Sequence, residues 1–258
     1  MTGHDALQSA AGEPHRQGHE HGDETFDKSY WEERWRSGDD ATRSMSAAPP
    51  NPHLIREIEA LAPGSALDAG CGAGNEALWL ASVGWKVTAA DISAAAIEAG
   101  AEKARAAGVD NRIDWVEADL TTWEPEELFD LVTTHYAHSS MPQLDFYERL
   151  TEWVKPGGTL LIVGHLHSPS GADGAENDPG HGHAHAHGHG QGHGQGSHHA
   201  GDPQPPDEAT ATAEGITARL HLSRWDVISS QENDRAVPMP GGREMRLRDV
   251  VVRAQRRR

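Results

Sequence analysis

Residues 66–81 read ALDAGCGAGNEALWLA, and the change of period within this run decides the fold. Its first four residues are small and apolar apart from one carboxylate, Asp68, a pattern that suits a strand covered on both faces. Gly70, Gly72 and Gly74 follow at alternate positions, and from Asn75 the apolar residues recur at helical spacing. Strand, glycine turn and helix in that order open a βαβ unit. Glycines in the turn let the backbone bend sharply and approach a ligand with no Cβ in the way. The spacing G-x-G-x-G departs from the dinucleotide pattern G-x-G-x-x-G, and the lysine of a phosphate-binding loop is missing. Asp68 would repel a pyrophosphate but suits a ligand that carries an ammonium or sulfonium group.

Downstream, short apolar runs at Lys86–Ala90, Ile113–Ala118, Leu131–Thr134 and Thr159–Val163 alternate with helical periods at Asn75–Val83, Ala94–Ala107 and Gln143–Trp153. That alternation predicts a parallel sheet with crossover helices. Right-handed crossovers leave the doubly wound, Rossmann-like α/β arrangement in three α/β/α layers as the leading solution. Asp226–Ser229 and Leu247–Val252 read as two further strands around the turn PMPGGRE, so the sheet is expected to finish in a hairpin with an antiparallel edge strand. Upstream, FDKSYWEERW places Phe26, Tyr30, Trp31 and Trp35 where they can share one helical stripe. SGDDATRSMSAAPPNP reads as a loop, and PHLIREIEAL as a helix burying Leu54, Ile55, Ile58 and Leu61 until Pro63-Gly64 stops it. DEATATAEGITARLHL is expected to be helical.

Polar residues gather at the expected C-terminal ends of the strands, the edge where open α/β sheets bind ligands. Asp91 closes the second strand in KVTAADIS, where an acid typically accepts hydrogen bonds from ribose hydroxyls. Asp119 follows the third strand in IDWVEADL, and His135 and His138 end the fourth in FDLVTTHYAH. A histidine there has a pKa suited to a general base, and serves equally as a hydrogen-bonded pocket wall. Cys71 reads as a small residue packed in the loop, and Tyr30, Trp31 and Trp35 as either a ligand cap or a core stripe. Glu232 and Arg235 are expected in a solvated loop between the last strands.

From about Ser65 to Gly164, including WVKPGGTLLIVG ahead of the fifth strand, the chain resembles the class I S-adenosylmethionine-dependent methyltransferases. The resemblance implies a seven-stranded sheet with its last strand antiparallel. It assigns Asp68, Gly70, Cys71, Gly72 and Gly74 to the methionine end of the cofactor, Asp91 to the ribose, and Ile92, Asp119 and Leu120 to the adenine, with His135 in the pocket wall. YWEERW and the C-terminal WDVISSQENDRAVPMPGGREMRLRDVVVRAQRR are similar to the tellurite-resistance and thiopurine S-methyltransferase-like group. That narrower resemblance implies an N-terminal aromatic helix over the cofactor, with Tyr30, Trp31 and Trp35 facing the sulfonium. It also implies a small soft acceptor, a thiol or a tellurium or selenium species. Where many of that group carry an arginine just before Pro-Asn, this chain has SAAPPNP.

A second chemistry competes for attention. HGHAHAHGHG places His181, His183, His185, His187 and His189 at alternate positions, and such imidazoles suit Ni or Zn. This sets an alternative beside the enzyme, a metal-storage or metal-sensing protein on a methyltransferase fold. The run lies within about 166–204, a stretch with almost no large apolar residue, read as a disordered insertion. Residues 1–24 are read as a disordered His-containing tail, 25–62 as a helical cap and 63–258 as the methyltransferase domain. The net charge of −18 argues against nucleic acid as a partner and favours a small-molecule substrate. No apolar run approaches the roughly 18 residues needed to span a bilayer, the N-terminus has no apolar signal region, and one cysteine excludes an internal disulfide, so a cytoplasmic protein is expected.

Overall fold

The sheet is built around β1 (Ser65–Ala69), which lies between β2 (Lys86–Asp91) and β4 (Phe129–His135) in a computed structural model that describes residues 26–166, 209–238 and 244–258. The remaining elements are α1 (Lys28–Ser37), α2 (Asp40–Ala47), α3 (Pro52–Ile58), α4 (Asn75–Ser82), α5 (Ala94–Ala107), β3 (Ile113–Glu117), α6 (Gln143–Thr151), β5 (Val154–Leu166), β6 (Thr210–Ala211), α7 (Ala213–Ala218), β7 (Trp225–Pro238) and β8 (Glu244–Arg256). Strands run in the order β3-β2-β1-β4-β5-β8-β7, with β6 paired to β5 off that path. β1 to β5 are mutually parallel, and β8 is antiparallel to both β5 and β7. The order reverses at β1, and in open α/β sheets it is beside such a reversal, at the C-terminal ends of the strands, that ligands bind.

Alternate side chains of the central strands feed two cores, because successive residues of a strand face opposite sides. Leu67, Val132, Leu160, Ile162, Val250 and Val252 pack with Phe146, Tyr147 and Leu150 of α6 and Ile216 of α7. Ala66, Leu131, Leu161, Val163 and Val251 pack with Leu54 and Ile58 of α3, Leu80 of α4 and Ala104 of α5. Residues Leu160 to Val163 are all at most 1% exposed, which explains why the run LLIV shows no polar alternation.

Three features differ from the sequence expectation. The stretch read as a loop contains α2, whose N-cap Asp39 accepts a hydrogen bond from the Thr42 amide at 2.7 Å. That cap offsets the turn-forming residues around it. The expected helix over 207–222 shortens to α7, because Thr210–Ala211 pairs with His165–Leu166 as an eighth strand before the Thr212 cap starts the helix. The last strand is antiparallel as expected, but it lies inside the sheet and leaves β7 at the edge. Among the described residues no helix is long and apolar enough to cross a membrane.

Candidate functional site

The loop after β1 turns because Gly70 and Gly72 adopt φ of 75° and 50°, a region that side-chain-bearing residues rarely enter. Their missing side chains also let other groups close in. A Cβ on Gly70 would stand 2.3 Å from the Ala137 methyl, and one on Gly72 would stand 2.8 Å from the Trp35 ring. The amides of Gly70 and Cys71 both donate to the Ala90 carbonyl, at 2.8 and 3.0 Å, tying the loop to the end of β2. Gly74 then caps α4.

Asp68 lies one strand position behind this turn and is 1% exposed. Its Oδ2 has no hydrogen-bond partner among the described residues, and neither has the facing Nδ1 of His135, which lies 4.0 Å from Asp68 Oδ1. Burial pushes the Asp68 carboxyl well above the usual carboxylate range, and the neighbouring Glu76 and Asp91 add to the push. Burial likewise holds His135 down to about 3, with His53 contributing, so the ring is neutral at physiological pH. Asp68 Oδ2 and His135 Nδ1 are thus buried polar atoms with hydrogen-bonding capacity left over, the kind of atom that calls for a partner. Burial, with Asp91 and Asp68 nearby, pushes the Cys71 thiol up, and it packs in the core beside the loop.

Asp91 stands at the end of β2 with both oxygens engaged: Gly72 N donates to Oδ2 at 2.8 Å and Ser93 N to Oδ1 at 2.9 Å. It therefore orders the glycine loop. Ile92, the next residue, is half-buried. Asp119 accepts from the amide and hydroxyl of Thr121, at 2.9 and 2.7 Å, and the Leu120 side chain turns into the core with α6.

The aromatic residues of α1 divide. Trp35 lies over Gly72, whereas Trp31 donates from Nε1 to the His138 carbonyl at 3.2 Å and stacks with Phe26. Tyr30 meets Phe26 and Trp31 edge-on. The helix is fixed at its middle by Glu32, which accepts from Ser93 Oγ at 2.7 Å and from the Ala95 amide at 3.3 Å, at the N-terminus of α5. An anion is favoured there by the helix dipole.

His138 is half-buried against His165, which stacks at 5.5 Å, and its desolvation with that neighbour holds it at about 4. His165 in turn lies 4.7 Å from the Tyr136 ring. The Tyr136 hydroxyl donates to Asp249 Oδ1 at 2.7 Å and accepts from Arg235 Nη2 at 2.9 Å. Asp249 is fully buried, and its Oδ2 takes Arg235 Nε at 2.5 Å and His53 Nε2 at 3.0 Å. Burial pushes this carboxyl upward, but the hydrogen bonds from His53, Tyr136 and Arg235 outweigh it and hold it below the usual range.

Sequence reading missed this cluster and misplaced two of its neighbours. Arg235 and Glu232 were expected in a solvated loop, yet both lie on β7, where Arg235 pairs with Asp249 and Glu232 accepts from the Ala213 amide at 3.0 Å. The available signal was Asp249 itself, a carboxylate abutting the apolar run Val250–Val252 and so requiring a buried partner. His181, His183, His185, His187 and His189 lie outside the described residues, as do the tail 1–24 and nearly all of the insertion 166–204. Among the described residues no group of three or more His, Cys, Asp or Glu is arranged to hold a metal.

Residues 66–158 match the family model of a methyltransferase domain. Thiocyanate methyltransferase 1 of Brassica oleracea is 31% identical over 143 residues, which cover 54% of this chain and 63% of the relative's own length. The crystal structure of TehB from Haemophilus influenzae superposes with a TM-score of 0.57 at 14% identity, covering 88% of this chain and 67% of that one. A structure described as the conversion of a disulfide bond into a thioacetal group during echinomycin biosynthesis reaches a TM-score of 0.60 at 20% identity, over 89% and 91% of the two chains. At such identities the structural likeness establishes the fold.

Proposed function

We propose that this chain, whose residues 66–158 match a methyltransferase domain, catalyses class I S-adenosylmethionine-dependent methyl transfer to a small-molecule acceptor with a soft nucleophilic atom. The observation that carries the reading is the unpartnered, buried Asp68 Oδ2 beside a glycine turn where a Cβ would run into Ala137 and Trp35. Asp68 and His135 are assigned the cofactor's ammonium, Asp91 its ribose hydroxyls, and Ile92, Asp119 and Leu120 its adenine. Trp35, from a cap spanning 25–62, covers the methionine end. The domain proper is assigned to 63–258.

When bound, S-adenosylmethionine supplies an electrophilic methyl carbon on a sulfonium. The protein's part is alignment and exclusion of water, since charge disperses as the methyl moves. His135 and His138 are held at about 3 and about 4, too weakly basic to deprotonate a neutral thiol of pKa about 8.5. We therefore assign both to the pocket wall rather than to general-base catalysis. An acceptor that is already anionic near neutral pH, or that ionises without help, fits this site best: thiocyanate, an acidic thiol, or a reduced selenium or tellurium species.

Calorimetric titration of the protein with S-adenosylmethionine tests the reading. Micromolar affinity is expected for the wild type, with a loss of about tenfold or more for Asp91→Ala, equivalent to about 1.4 kcal/mol. An acceptor screen with thiocyanate, thiols and tellurite follows. Absence of cofactor binding would sink the proposal.

A further inference from the structure

We propose that Tyr136 is a positioning residue, whose hydroxyl ties α3 and the C-terminal hairpin to the loop lying against Gly70 and so fixes the shape of the cofactor cradle. The inference rests on the cofactor reading above and concerns a group with no assigned part in it. Tyr136 is the non-glycine residue with positive φ, 52°, among the described residues. For a bulky side chain that conformation is unfavourable and persists only where the surroundings over-determine it.

Those surroundings are unusually complete. The backbone amide of Tyr136 donates to the Val163 carbonyl at 2.9 Å, extending the end of β4 along β5. Its hydroxyl meets Asp249 of β8, Arg235 of β7 and, at 3.4 Å, Asn51 Nδ2, the N-cap of α3. Asp249 is itself clamped on its other oxygen by Arg235 and His53. A buried carboxylate with that many donors has one low-energy geometry, so it works as a rigid anchor.

The two residues after Tyr136 are the ones committed to the site. The Ala137 methyl fills the space left by the side chain missing from Gly70, and the Ala137 carbonyl accepts from Gln143 Nε2 at 2.9 Å. The His138 carbonyl holds the indole N–H of Trp31 in the cap helix. Released from the hydroxyl anchor, the backbone at 136 is expected to relax toward negative φ. That rotation would move Ala137 off Gly70 and the His138 carbonyl off Trp31 together. The network around Asp249 thus acts on the cofactor cradle without touching it.

Tyr136→Phe keeps the ring against His165 and removes only the hydroxyl. Its cofactor KM and Kd are expected to rise about tenfold, with acceptor KM changed less than about twofold and kcat at saturating cofactor less than about threefold. Arg235→Lys, which cannot bridge Tyr136 and Asp249 as a guanidinium does, should shift cofactor KM the same way, and the double variant should be no worse than the stronger single one. Hydrogen exchange of the cofactor-free protein gives a reading independent of turnover. The amides of Gly70, Gly72, Ala137 and His138 should exchange about tenfold faster in both variants, with those of α5 unchanged. Unaltered cofactor KM and exchange in variants whose Tm has fallen would overturn the proposal and leave the cluster as a stabiliser of the fold. A wild type that binds no cofactor, with exchange still accelerated in Tyr136→Phe, would overturn the function instead and uphold the anchor.

Discussion

Asp68, assigned to the cofactor's ammonium in the proposal, would hold that role at the expense of the fold. Its folded pKa is raised by burial and by Glu76 and Asp91, so the fold binds its proton more tightly than the unfolded chain does. The stability linked to that proton is complete below the ordinary carboxylate range near 4 and is lost as pH rises through the folded pKa. Above that range the buried carboxyl is therefore a net cost to folding, in the absence of a cation to pair with. Asp68→Asn should raise the Tm at pH 7, by about 2–4 °C for each kcal/mol recovered in a chain of this size, with the gain shrinking toward pH 4. The same variant should lose about tenfold or more in affinity for S-adenosylmethionine. Thermal melts at several pH values, paired with calorimetry, check both. A variant that gains stability yet binds the cofactor normally would remove Asp68 from the site.

At the scale of the element, α1 is a short amphipathic helix with no fully buried residue of its own, held by contacts spaced along its length. Glu32 sits on the N-terminus of α5, Trp35 on the glycine turn, Trp31 on the His138 carbonyl, and Lys28 pairs with Glu117 at the exposed end. A charge at a helix N-terminus contributes only about 0.3–1 kcal/mol, so no single polar contact locks the helix down. On the proposal that α1 caps the cofactor, these weak contacts predict that it opens readily for exchange. Glu32→Gln should speed cofactor dissociation about two- to fivefold and Trp35→Ala about tenfold, while the Tm of each stays within a few degrees of wild type. Stopped-flow displacement reads the rates. Unchanged dissociation in Trp35→Ala would show that the helix does not cover the ligand. The α1–α2 boundary also shows where local signals mislead: Gly38 and the following acids look like loop, and only the Asp39 cap starts the second helix.

Across the whole molecule, three largely desolvated histidines weaken the fold as the pH falls. His135 is held at about 3 and His138 at about 4, and burial lowers His165 as well. In each case the folded pKa lies below the unfolded value near 6.5, so the stability they contribute is present above pH 6.5 and drains away as pH falls toward the folded pKa. At pH 5 the linkage amounts to about 2 kcal/mol for each of His135 and His138, since 1.5 pH units correspond to that energy at about 1.4 kcal/mol per unit. Denaturant midpoints should therefore fall steadily between pH 6.5 and 4.5, against the opposite trend from Asp68, and His138→Gln should flatten the slope by about one proton. An unchanged slope in His138→Gln would place that ring in solvent.

The sequence by itself determined the sheet, the parallel direction of β1 to β5, the glycine turn, and the placing of Asp68 and Asp91 at the C-terminal ends of β1 and β2 and of Asp119 just after β3. Each of these is written within one βαβ unit, where side-chain period and turn chemistry act over a few residues. The lengths of β5 and β7 were underestimated because their outer halves are set by pairing: β7 is matched to β8 from Trp225 to Pro238, although much of it is exposed and lacks an apolar rhythm. The Tyr136 cluster was out of reach for the same kind of reason. His53 and Asp249 are 196 positions apart, and Tyr136 and Arg235 are 99 apart, so no window of sequence contains the interaction. A lone Asp in a strand announces that a partner is needed, and only the folding of α3, β4, β7 and β8 onto one edge decides which side chains supply it. Tertiary structure likewise decided that His135 and His138 are neutral and weakly basic, because depth of burial, which fixes their pKa, belongs to the packed whole and not to the residue.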